Sequence, residues 1–189
     1  MGAEVFVETP YYNDLDNWEN GVLYIGNHLI KVREDVEYFV IRPGTKSIAQ
    51  DAFEGCYKLK HLTIGGEHAG VLAGLTNLET LVITEMPGRV LNYFDWNGTP
   101  ITLKNIVLAD GVRMNSEAFY DWAGNPITGV TIYVEANEKD VRWDENFPGW
   151  SAGNRVVYGD GWINATFYDT NGNLVSSEIF TTSQVIRLP

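Results

Sequence analysis

Five short runs in this chain share one form and recur at nearly one spacing. They are YFVI at Tyr38 to Ile41, HLTI at His61 to Ile64, TLVI at Thr80 to Ile83, NIVL at Asn105 to Leu108 and TIYV at Thr131 to Val134. Their second residues, Phe39, Leu62, Leu81, Ile106 and Ile132, are separated by steps of 23, 19, 25 and 26 residues. Spacing of that order predicts a repeat array in which each unit adds one strand to a shared sheet. Period-2 alternation sends Phe39 with Ile41, Leu62 with Ile64, Leu81 with Ile83, Ile106 with Leu108 and Ile132 with Val134 into the core. Three residues upstream of each first inward position stand Val36, Leu59, Leu78 and Leu103, and Gly129, where the pattern slips.

The segments between strands repeat as well. DWNGTPIT, Asp95 to Thr102, returns as DWAGNPIT, Asp121 to Thr128, at an offset of 26 residues. Phe53 and Cys56, Leu72 and Leu75, Tyr93 and Trp96, and Phe119 and Trp122 form pairs three residues apart. That spacing puts both members on one face of a helical or 3₁₀ turn. Trp96 and Trp122 then fill the slot that Cys56 holds, and the Gly and Pro that follow turn the chain toward its next strand.

AQDAFEGCYKLKHLTI, Ala49 to Ile64, resembles the BspA-like leucine-rich repeat. The residues that carry the resemblance are Ala52, Phe53, Cys56, Leu59, Leu62 and Ile64. SEAFYDW, Ser116 to Trp122, matches with Trp122 in the cysteine place, and the two coils between them lack Ala-Phe and Cys. The similarity covers Val36 to Val134. It implies a mainly β fold with short helical or 3₁₀ turns, a leucine-rich-repeat solenoid of about five coils. It also implies a bacterial protein, secreted or attached at the cell surface, that binds other proteins or surfaces and has no catalytic residues. A leader peptide is expected to be missing from this sequence.

The flanks complete a three-part expectation. Residues 1–35 form an N-terminal capping segment, with Trp18 to Val32 as a hairpin turning at Gly26-Asn27. Residues 36–147 hold the repeats, ending in a short helix over Glu135 to Phe147. Residues 148–189 form a C-terminal segment with a β-hairpin over Trp162 to Phe180 around DTNGN.

The 189 residues carry a net charge of −12, which argues against nucleic acid as a partner and against an anionic membrane surface. No apolar run reaches the ~18 residues that span a bilayer, so no membrane insertion is expected. The single cysteine, Cys56, rules out an internal disulfide or a cysteine-based zinc site.

GWSAG, Gly149 to Gly153, fits the nucleophile-elbow pattern, but a strand should precede Ser151 and a helix follow it, and the local sequence reads the other way. His28, His61 and His68 show no ligand spacing, and His61 should face solvent. DTNGNLVSSE, Asp169 to Glu178, lacks the glycine of a calcium loop and reads as a hairpin turn. Asn164 opens a glycosylation acceptor pattern, discounted for a bacterial chain. Asp95 and Asp121 are equivalent members of neighbouring coils, whereas an acid/base pair needs dissimilar surroundings. No enzyme, cofactor or metal is expected.

The leading functional expectation is a non-catalytic recognition or adhesion module binding a protein or cell-surface ligand through its sheet. The outward positions are Tyr38, Val40, His61, Thr63, Thr80, Val82, Asn105, Val107, Thr131 and Tyr133. The row Val40, Thr63, Val82, Val107 and Tyr133 is apolar for a solvent face. It reads either as a contact stripe or as the seat of a flanking segment. The alternative is a carbohydrate- or wall-binding module using exposed Trp18, Trp150 and Trp162. A serine esterase through Ser151 ranks last.

Overall fold

The computed structural model describes residues 5–65, 75–84, 102–110, 112, 127–136, 153–172 and 174–181. The chain is mainly β, and its sheets are open. After a short helix α1 (Pro10–Asn13) and a 3₁₀ turn, strands β1 (Trp18–Glu19), β2 (Val22–Ile25) and β3 (His28–Val32) run antiparallel. Ile25 pairs with His28, so Gly26-Asn27 forms the expected two-residue turn. A second tight turn, beyond the expected hairpin, lies at Asn20-Gly21. Both residues there have positive φ, 52° and 79°, as the twist of a two-residue hairpin requires.

The strand ladder follows. β4 (Tyr38–Val40) leads to a short β5 (Ser47–Ile48), then β6 (His61–Ile64), β7 (Thr80–Ile83), β8 (Asn105–Leu108) and β9 (Thr131–Val134). β10 (Arg155–Tyr158) continues the series, so one parallel sheet runs β10-β9-β8-β7-β6-β4. The register is unbroken: Phe39 lies beside Leu62, Leu62 beside Leu81, Leu81 beside Ile106 and Ile106 beside Ile132. β5 instead pairs parallel with β3, tying the N-terminal sheet to the first long connection.

The inward row forms the main core. Leu62, Leu81, Ile106 and Ile132 have no exposure, and Leu59, Leu78 and Leu103 are buried beside them. Val130, not Gly129, fills the slipped position, with 1% exposure. Between Ala49 and Leu59 the chain makes successive turns, with Cys56 N–H donating to Phe53 C=O and Leu59 N–H to Cys56 C=O. Phe53 and Cys56 are both buried there, as the spacing of three predicts. Leu23, Leu29 and Val32 enter the same core from the N-terminal strands. The remaining pairs involving Leu72, Tyr93, Trp96, Phe119 and Trp122, both DW dipeptides, and the helix beyond Ala136 lie outside the described residues.

β11 (Trp162–Tyr168) and β12 (Leu174–Thr181) form the expected C-terminal hairpin. Asp169 Oδ1 accepts the Asn171 N–H at 2.8 Å and organises its turn.

Candidate functional site

Alternation places all ten outward residues on the sheet face opposite the main core, but that face is largely covered. Val82, Val107 and Tyr133 are buried, as is Trp162, and together they form a second small core. Trp162 stands at the base of the hairpin, its ring 5.3 Å from that of Tyr133 and its Nε1–H donating to Val134 C=O at 3.3 Å. Val157 and Ile179 pack around it. The apolar stripe is therefore the seat of the chain's own hairpin over most of its length, and the solvent-facing expectation is corrected there.

The correction extends to His61, which is 3% exposed. Its Nε2 lies 3.1 Å from Thr63 Oγ1, its ring is 6.3 Å from that of Tyr38, and Nδ1 has no partner among the described residues. Burial pushes the imidazole pKa down to about 4. Thr63 is also buried. Thr80, Asn105 and Thr131 are half-buried, and Asn105 Nδ2 donates to Thr80 Oγ1 at 3.3 Å. Tyr38 is half-buried, and Val40 alone of the ten is classed as exposed, at 40%.

The hairpin reaches the far end of the sheet by length. Six strands about 4.8 Å apart span about 24 Å, and a seven-residue strand extends about 23 Å. Around its tip, Tyr168, Gly172, Leu174 and Val175 face β4 across a groove of about 610 Å³. Glu19, Val22, Tyr24, Arg33 and Val36 also line it. A second groove of about 570 Å³ shares Val40 and Arg42 and continues past Pro43 to Lys46.

Charge around the groove is arranged in exposed pairs. Arg42 reaches Glu19 at 2.8 Å while its guanidinium lies 4.2 Å above the Tyr24 ring. Arg33 holds Asp35 at 2.7 Å, and Lys60 holds Glu37 at 2.7 Å. Those hydrogen bonds keep the Asp35 and Glu37 carboxyls below their ordinary range. Such pairs shape a rim and contribute little to stability.

The aromatic alternative loses Trp162 from its exposed set. Trp162 is 6% exposed, and Trp18 is half-buried, with Nε1–H donating to Tyr12 C=O at 2.8 Å. Trp150, Ser151 and His68 lie outside the described residues. His28 Nδ1 sits 2.7 Å from Ser47 Oγ, on the N-terminal sheet. Among the described residues no three His, Cys, Asp or Glu side chains gather as a metal site. No helix among them is long and apolar enough to cross a membrane.

The groove is not legible in the sequence: of its lining, only Tyr38 and Val40 belong to the outward positions. Comparison with protein-family models, curated proteins and solved structures finds no match.

Proposed function

We propose that this chain is a non-catalytic recognition module, a BspA-like leucine-rich-repeat solenoid of about five coils that is secreted or held at a bacterial cell surface. The observation that carries the reading is the in-register row Phe39, Leu62, Leu81, Ile106 and Ile132 on adjacent parallel strands. That is the arrangement the repeat spacing asks of a stacked array. The capping role of residues 1–35 fits a segment whose strands feed the same core as the ladder. β10 extends the array past residue 147 to Tyr158.

The partner in this reading is a protein or a surface-borne ligand. It contacts the β4 end of the sheet, since the hairpin already occupies the centre. The groove there combines exposed apolar side chains with a polar rim, the mixture that recognition surfaces use.

The test is an array of extracellular proteins beside an array of glycans, probed with the full chain. Saturable protein binding that falls at least tenfold in Tyr168→Ala is expected. Glycan binding alone, or ester hydrolysis that vanishes in Ser151→Ala, would sink the reading.

A further inference from the structure

β4 is an edge strand, the last member of the six-stranded sheet. In a parallel ladder, alternate residues turn both backbone groups toward the neighbour, and the residues between turn theirs away. Glu37 C=O accepts from His61 N–H at 3.2 Å, and Ile41 N–H donates to Thr63 C=O at 2.9 Å. Residues 37, 39 and 41 therefore face β6, and residues 36, 38, 40 and 42 face the open edge.

The chain closes the two ends of this edge itself. Val36 N–H donates to Arg33 C=O at 3.2 Å, and Arg42 N–H donates to Tyr24 Oη at 3.1 Å. Between them, Tyr38 and Val40 present two N–H and two C=O groups that have no partner among the described residues. These groups open into the groove beneath the hairpin tip. Exposed sheet edges are ordinarily blunted by lysine, proline, a bulge or a cover. Tyr-Phe-Val carries no such device, and β12, although it lies against β4, does not pair with this edge.

We infer that the groove binds an extended peptide segment of a partner protein, added as a further strand along Tyr38–Val40. Main-chain hydrogen bonds would supply the common affinity, and alternate side chains the selectivity. Val22, Val36, Leu174 and Val175 line the groove and offer apolar contacts to the incoming strand. The segment is apolar at its centre. Lys or Arg flanks it, because the chain's net charge is −12. The inference depends on the recognition reading only for its premise of a protein partner.

A randomised heptapeptide pool displayed on phage is panned against the immobilised full chain, and enriched peptides are synthesised. Binding should slow hydrogen exchange at the Tyr38 and Val40 amides. N-methylation of the peptide at one alternate set of residues should weaken it at least tenfold, and at the other set hardly at all. Val40→Pro, which removes an outward N–H on an edge where proline is tolerated, should lose at least tenfold in affinity. Peptide N-methylation reads the same bonds should Val40→Pro misfold. Failure to enrich any peptide overturns the inference, as does binding that leaves both amides exchanging freely. So does equal tolerance of both methylation patterns. A concentration-dependent dimer abolished by Val40→Pro would put a second copy in the groove and also overturn it. A protein partner that binds elsewhere and leaves the two amides unprotected would sink this inference while sparing the recognition role.

Discussion

His61 shows how one side chain reports on what covers it. Its folded-state pKa lies at about 4, below the ordinary 6.5, because burial disfavours the imidazolium. The folded protein thus binds this proton less readily than the unfolded chain. Its contribution is fully present above pH 6.5 and is lost as pH falls toward about 4, by at most about 3 kcal/mol. Denaturant titrations at pH 7 and pH 4.5 should therefore show a larger acid loss in the parent than in His61→Leu. An equal loss in both would mean that the imidazole is hydrated. Cys56 is inert by the same physics: burial pushes its thiol up to about 11, and Sγ–H donates to Val32 C=O at 3.4 Å. In the core row, Leu81 has no exposure and a parallel neighbour on each side. Leu81→Ala should cost about 2–5 kcal/mol in denaturant unfolding, the range for an unrelaxed core cavity.

Among the elements, the C-terminal hairpin is the least self-sufficient. A two-stranded hairpin is marginal alone in water, and of its described residues only Trp162 is buried. Trp162→Ala should therefore release β11 and β12 while the ladder stays folded. Exchange at Leu174 to Thr181 should rise at least tenfold, with β6 to β8 unchanged. Uniform acceleration across the sheet would show that the hairpin is integral to the ladder. This element also marks where the sequence ceased to be legible. The ladder could be read because alternation and a period near 23 residues are local signals, repeated until chance is excluded. Leu62, Leu81, Ile106 and Ile132 needed no tertiary information. Covering the outward face is a contact between Trp162 and Tyr133, and nothing within either segment announces it. His61 was misplaced for that reason, since alternation gives the face of a strand but not what lies over that face. The turn at Asn20-Gly21 is a different case, because the dipeptide was a readable hairpin signal passed over.

For the molecule as a whole, the hairpin joins the two ends of the sheet. Ending the chain after Gly161 would uncover Val82, Val107 and Tyr133 together. The shortened protein should bind a hydrophobic dye more strongly and associate at micromolar concentration, read by fluorescence and sedimentation. A clean monomer with parental dye binding would mean that another segment shields the patch. The contact of β12 with β4 has a further consequence. A stack of strands touching only adjacent members can fray from either end, one rung at a time. Bringing residues near 175 against residues near 40 sets the hairpin against the first strand of the ladder. The sheet then cannot fray at that end without breaking the clasp, so the ladder should melt more sharply in the parent than in Trp162→Ala.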